Sequence, residues 1–246
     1  MLPDFLLKLA GYLPLPCPAC RKKSGKRINS FCDECLGKLP FIGNNASLCP
    51  GCGGVLDGTL ARCSQCLMEP ERPWERAWSV MEYRDYGRDL IRRFKFGNCP
   101  ELARPLGYLL ADRIAECKIQ ADLIVPVPLH FIRELRRGYN QAGLLAEITG
   151  KQCRIDRADI LMRRTMRSRQ AGRNRKERHR DLEGIFKVRK GVLLSGKRVL
   201  LIDDIFTTGA TLHAAAAALL EAGPEAVTVL TLARTRMNFS AGNMVI

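Results

Sequence analysis

At 246 residues, 46% of them hydrophobic and 26% charged, the chain is long enough for one sizeable core plus a small extra module. No run approaches the roughly 18 consecutive apolar residues of a membrane span, which argues against membrane insertion. The net charge of +15 directs attention to polyanions such as nucleic acid or phosphorylated metabolites.

The opening stretch MLPDFLLKLAGYLPLP is apolar but has no basic start and no small-residue cleavage site. It reads as a short helix packed on the first module, with the protein in the cytoplasm. Eight of the 11 cysteines then form four C-x-x-C pairs: Cys17/Cys20, Cys32/Cys35, Cys49/Cys52 and Cys63/Cys66. Such a turn aims two thiolates at one point, and two turns complete a tetrahedral zinc site. An odd total also disfavours a closed set of disulfides. Cys99, Cys117 and Cys153 are left over and read as buried thiols.

Residues 1–72 have few large apolar side chains and many Gly and Pro, so metal is expected to hold them together. The similar gaps at 21–31 and 53–62 favour sequential pairing into a double zinc ribbon with one or two structural zinc ions. An interleaved cross-brace is the alternative. The proline-flanked MEPERPWERAW (68–78) reads as the linker to a second domain, 73–246.

Beyond it, apolar runs alternate with helical patterns. Strands are expected at 78–83, 121–129, 184–188, 197–203 and 226–234. Helices are expected at 87–96, 100–117, 140–150 (closed by Gly150) and 211–223 (closed by Gly223). Alternation of this kind predicts an α/β fold, a parallel sheet covered by helices on both faces. Between Arg163 and Arg180 stand nine Lys/Arg against one acid, Glu177. The run is either a solvated face or a polyanion contact.

The stretch RVLLIDDIFTTGATLHAAAAALLEAG places two aspartates at the carboxyl end of a buried strand, where such sheets bind ligands. Two ionised carboxylates there are costly unless something engages them. Capping by Asp204 and a lysine for Asp203 is the bland explanation. The residues that follow favour another. Thr207, Thr208, Gly209, Ala210 and Thr211 supply amides and hydroxyls at the mouth of a helix, a site suited to phosphate. Acids beside a phosphate cradle suit a sugar phosphate, whose hydroxyls donate to the carboxylates.

VLLIDDIFTTGATL resembles the phosphoribosyl diphosphate (PRPP) motif of type I phosphoribosyltransferases. VPVPLHFIRELRRGYNQA (125–142), with the four C-x-x-C pairs, is similar to the ComF/GntX family of bacterial competence-related proteins. The likeness runs from about Cys17 to Arg234. It implies a type I phosphoribosyltransferase-like sheet behind a zinc module, with Asp203 and Asp204 on the ribose hydroxyls and residues 207–211 on the 5′-phosphate. It further implies that Val127, Pro128, Leu129 and His130 handle the diphosphate, with magnesium and with help from Arg133, Arg136 and Arg137. Asp203, Asp204 and Arg137 are thus the catalytic candidates. The family's Gln, Arg, Asn and Phe positions fall on Gln170, Arg178, Asp181 and Phe186. Asp181 replaces the usual Asn, and Arg173 stands where a Leu is common.

The chemistry implied is displacement at the ribose anomeric carbon, for which no protein nucleophile is needed. His130, His179 and His213 form no triad-like pattern and read as structural. No base-binding hood is recognisable. Two functions therefore follow. One is an accessory factor of DNA uptake, contacting single-stranded DNA through the zinc module and through Arg133, Arg136, Arg163, Arg164, Arg167 and Arg178, with competence-machinery proteins as further partners. The other is an active transferase with an unidentified acceptor. Phe31, Phe41, Trp74 and Trp78 are the candidates for stacking on bases.

Overall fold

The computed structural model describes residues 16–22, 30–43, 47–56, 58, 60–68, 71–130, 134–135, 137–163 and 184–235. The expected N-terminal helix, the basic residues 164–180 and the C-terminal tail lie outside them. The cysteine module folds as two similar units. Each is a C-x-x-C turn followed by a second pair that opens a five-residue helix, α1 (Asp33–Gly37) and α2 (Ser64–Met68). The connection after them is packed, not loose: Arg72 and Trp74 are 7% and 8% exposed. Strand β1 (Arg76–Glu82) follows directly.

The main body then alternates as its pattern foretells: α3 (Asp85–Phe96), a 3-10 turn at Pro100–Leu102, α4 (Ala103–Glu116), β2 (Leu123–Pro126) and α5 (Gln141–Cys153). Next come β3 (Asp156–Arg157), β4 (Leu161–Arg163), β5 (Phe186–Val188), β6 (Arg198–Phe206), α6 (Ala210–Leu220) and β7 (Ala226–Arg234). Five strands pair in the order β1-β7-β6-β2-β3, and every pair is parallel. β6 and β7 lie centrally and are apolar on both faces, as strands covered on each side must be. Leu200 and Ile202 of β6 share a cluster with Phe94, Leu106 and Leu145 of α3, α4 and α5. Val199 and Leu201 turn to Leu212, Ala215 and Leu219 of α6. That split is the two-residue period of a strand. Within the sheet, Ser79 of β1 and Thr231 of β7 satisfy each other by a buried hydroxyl bond of 2.8 Å.

The cysteine units are part of these same cores. Cys17, Cys32, Cys35 and Phe31 join the α3–α5 side, whereas Cys49, Cys52, Cys66 and Trp74 join the α6 side. The module also covers the open edge of β1: Phe41 bridges Met81 antiparallel, and Ile42 N–H bonds Val80 O at 3.0 Å. An edge strand covered in this way presents no template for pairing with another chain.

Several local expectations change. The α5 helix runs past Gly150 to Cys153 and is capped by Arg154, which adopts the left-handed conformation itself (φ 58). Gly150 is small for packing, because a Cβ there would meet Ile155 O at 2.7 Å. The strand at 184–188 leaves the main sheet and pairs antiparallel with β4 in a two-stranded ribbon. β6 extends past the aspartates to Phe206. Cys99, Cys117 and Cys153 are partly exposed rather than buried.

Candidate functional site

Each cysteine unit gathers its four sulfurs within 4.8 Å of one another: Cys17, Cys20, Cys32 and Cys35 in one group, Cys49, Cys52, Cys63 and Cys66 in the other. The grouping is sequential. A tetrahedral zinc with Zn–S bonds of about 2.3 Å separates its sulfurs by about 3.8 Å. The Cys20–Cys32 and Cys52–Cys63 sulfurs lie at 3.8 and 3.6 Å. Both groups carry the same further bond, Cys32 N–H to Cys17 Sγ and Cys63 N–H to Cys49 Sγ, each 3.4 Å. The donor set therefore fits zinc twice over. Burial pushes the Cys35 thiol up to about 12, and the bond with Cys49 does the same for Cys66. A bound dication reverses that cost by taking the thiolates as ligands.

The second centre lies at the end of β6. Asp204 is 8% exposed, and its Oδ1 is 2.9 Å from Lys95 Nζ on the last turn of α3. Asp203 is half-buried and accepts the Asp204 N–H at 2.8 Å. Burial, and then the neighbouring Asp204 charge, push the Asp203 carboxyl up to about 7, against the pull of Lys95, the Asp204 N–H and Arg163. The aspartates thus have a lysine between them in the free protein, but it serves Asp204, and Asp203 keeps no ion pair among the described residues.

After β6, Gly209 turns the chain in the left-handed region (φ 80) to start α6. A Cβ at this position would lie 2.7 Å from Phe206 Cζ, so the turn needs glycine for space as well as for φ. Thr207 is exposed, Thr208 and Thr211 are half-buried, and Gly209 and Ala210 are buried. The Thr208 hydroxyl accepts the Ala210 N–H at 3.3 Å, and Gly209 O accepts His213 N–H as the helix begins. Beneath the loop lies Arg72, which donates from Nη2 to Thr208 O at 3.2 Å.

Beside β6, the loop after β2 continues from Val127, whose N–H bonds Ile202 O at 2.9 Å. Val127 O accepts from the Asn140 amide at 3.2 Å, so the Arg-Gly-Tyr-Asn stretch is tied to this loop. Pro128, Leu129 and His130 are half-buried. Arg137 donates to Gln141 Oε1 at 3.1 Å, and its guanidinium covers the Phe96 ring at 4.6 Å. Lys95, Phe96, Asn98, Arg137, Gly138 and Tyr139 help line a cleft of about 960 Å³. Tyr139 is held by its hydroxyl bond to Phe94 O, and burial raises its pKa.

Of the arginines expected to contact polyanions, Arg133, Arg136, Arg164, Arg167 and Arg178 lie outside the described residues, as do Arg173, His179 and Asp181. Arg163 ends β4 and covers the Phe186 ring at 5.5 Å. Two stacking candidates are buried away from any base: Phe31 (2% exposed) and Trp74 are core residues. Trp78 is half-buried beneath Arg76, and Phe41 is exposed. His213 packs near Trp74, with ring centroids 6.4 Å apart. Lys95 and Arg72 escaped sequence reasoning. The available signals were a lysine between two phenylalanines at a helix end (FKFG) and an arginine boxed by prolines (PERPW).

Comparison with known proteins agrees with the fold. Residues 100–238 match the family model described as phosphoribosyl transferase domain. Competence protein F of Haemophilus influenzae is 31% identical over 229 residues, covering 89% of this chain and 96% of that one. DNA utilization protein YhgH of Escherichia coli K12 is 32% identical, covering 77% and 85%. Competence protein ComFC of Bacillus subtilis is 32% identical, covering 85% and 86%.

Proposed function

Because the chain belongs to the ComF/GntX family and carries a phosphoribosyl transferase domain, we propose that it binds PRPP at the end of β6 and acts as an accessory factor in DNA uptake. The observation that carries the PRPP reading is the adjacency of two carboxylates to a glycine-turned helix mouth, Asp203-Asp204 followed by Thr207–Thr211. The carboxylates accept the 2′- and 3′-hydroxyls of the ribose, and the loop takes its 5′-phosphate. Val127–Leu129 and Arg137 stand on the diphosphate side. Magnesium would bind with the ligand at this acidic end and would supply charge neutralisation for the diphosphate. Lys95 Nζ occupies Asp204 Oδ1 at 2.9 Å in the free protein, and the ligand's hydroxyls compete for the same oxygen.

The DNA reading is supported by the relatives' names, competence protein and DNA utilization protein, and by the charge of +15. Single-stranded DNA would be contacted by the basic run from Arg163 onward, with competence-machinery proteins as partners. Thiolate metal groups suit the reducing cytoplasm, and no helix among the described residues is long and apolar enough to cross a membrane.

Calorimetry with PRPP and magnesium tests the first half. Asp203→Asn and Asp204→Asn are expected to abolish the binding, and unchanged affinity in both would remove the sugar-phosphate reading. Binding of an oligothymidine is expected to weaken steeply with salt, since phosphate contacts release counterions. A flat salt response would remove the DNA half.

One observation favours a second reading, turnover. Phe96, 71% exposed, faces the cleft beside Lys95 with Arg137 upon it, a platform for a planar base. In that reaction a ring nitrogen forms a bond to the anomeric carbon, the bond to diphosphate breaks, and the nitrogen's proton passes to solvent. Diphosphate release that depends on added nucleobase would establish it. Release at the same rate without a base would exclude it.

A further inference from the structure

The guanidinium of Arg72 is 7% exposed, and its Nε and Nη1 have no hydrogen-bond partner among the described residues. No described carboxylate is ion-paired with it. Arginine stays charged at any pH a protein meets, so this cation cannot escape by losing a proton. Its faces are met by Trp74 at 5.5 Å and Phe206 at 6.0 Å, and its Nη2 is used by Thr208 O. Nη1 lies 3.1 Å from where a Gly209 Cβ would stand, directly behind the turn that opens α6. A buried positive charge thus backs the helix mouth with donors left over.

The other side of Arg72 rests on the second cysteine unit. At Gly51, inside the Cys49–Cys52 turn, a Cβ would lie 2.9 Å from Cys66 Sγ and 3.7 Å from Arg72 Cγ. Gly51 O accepts the Trp74 indole N–H at 3.1 Å, and Pro50 O accepts Ala77 N–H at 2.8 Å. The turn that aims two sulfurs at a metal is therefore the floor beneath Arg72 and Trp74.

We propose that Arg72 is the buried counter-charge for the phosphate held by residues 207–211, and that the Cys49/Cys52/Cys63/Cys66 group fixes it there. Metal loading of that group then sets the affinity of the phosphate loop. The inference rests on reading the loop as a phosphate site. Electrostatic attraction across a dry layer is strong, and an anion on the loop neutralises a charge that is otherwise buried alone.

The test uses ribose 5-phosphate as the probe, followed by calorimetry and by Trp74 fluorescence in a Trp78→Phe background. Arg72→Met is expected to weaken the probe by about tenfold to a hundredfold, the scale of a lost charged contact. Arg72→Lys is expected to recover part of it, because charge returns without the Thr208 bond. Cys66→Ser, with that metal lost, is expected to fall to the Arg72→Met level, and the double variant no further. Native affinity in a folded Arg72→Met protein would overturn the proposal. Additive losses in the Cys66→Ser, Arg72→Met pair would overturn its metal half. Should Cys66→Ser fail to fold, the Trp74 emission decides: a ligand-induced shift that survives in Arg72→Met refutes the contact. If Arg72→Met loses the probe while both aspartate variants keep PRPP, the sugar reading fails and the Arg72 assignment stands. If the aspartate variants lose PRPP and Arg72→Met does not weaken, only the Arg72 assignment fails. A wild-type protein that binds no phosphorylated pentose overturns both.

Discussion

Replacing Asp203 by Asn is expected to make the free protein more stable at pH 8 and leave it nearly unchanged at pH 4. Ordinarily a carboxyl of this kind ionises at 3.8, but in the fold burial and the Asp204 charge raise it to about 7. Between those two values the unfolded chain sheds the proton while the folded one keeps it, so wild-type stability falls as pH rises. Above about 7 the deficit is constant. About three units at roughly 1.4 kcal/mol each set an upper bound of about 4 kcal/mol. The asparagine amide retains an Oδ1 acceptor for the Asp204 N–H, so little hydrogen bonding is lost. We expect a gain of about 2–4 kcal/mol at pH 8, a melting rise of roughly 4 to 16 °C for a chain of this size. Thermal unfolding of both proteins from pH 4 to 8 measures it. An equal gain at pH 4 and pH 8, or none at pH 8, would refute the account of a carboxylate held unfavourably for a ligand.

Lys95→Met strands the Asp204 carboxylate, whose side chain is 11% exposed, and is expected to cost about 2–4 kcal/mol at pH 8. Adding Asp204→Asn should restore most of it, and a double variant as unstable as Lys95→Met would contradict the pairing. Metal analysis of the purified protein should find two zinc ions per chain, with Cys20→Ser and Cys52→Ser each losing one. Loss of both ions from either variant would mean that the groups are not independent. Thr231→Val leaves the Ser79 hydroxyl buried without its 2.8 Å partner and should cost about 1–3 kcal/mol. Ser79→Ala with Thr231→Val together should cost less in denaturant unfolding than Thr231→Val alone.

The two cysteine units buttress the same site from opposite faces of the sheet. In the first, Cys35 Sγ accepts the Tyr86 hydroxyl at 3.2 Å and Ala19 O accepts Arg93 Nη1 at 2.9 Å. Both donors lie on α3, the helix whose last turn carries Lys95 to Asp204. The second lies under Arg72 and the Thr207–Thr211 loop. The two C-x-x-C knuckles, whose sulfurs are grouped as a metal would need them, thus supply floors to a region whose own side chains are mostly polar and short.

What the residues determined alone was whatever a segment does to itself. Ala226–Arg234 is apolar on both faces and could only be a covered strand, and its bounds agree with the pattern. The C-x-x-C spacing brings sulfurs in pairs to one point, and Thr-Thr-Gly after an apolar strand makes a turned helix mouth wherever it folds. Tertiary structure decided the partners. Arg72 finds Thr208 across 136 residues, and Lys95 finds Asp204 because α3 packs where its last turn overhangs the end of β6. Neither pairing leaves a mark in local periodicity, since both side chains are single cations among many. Phe186–Val188 is likewise a strand by pattern, but three residues cannot specify a neighbour, and only the fold assigns it to β4. Period and spacing are properties of adjacent residues, whereas a buried charge is settled by whichever group the crossovers bring within reach.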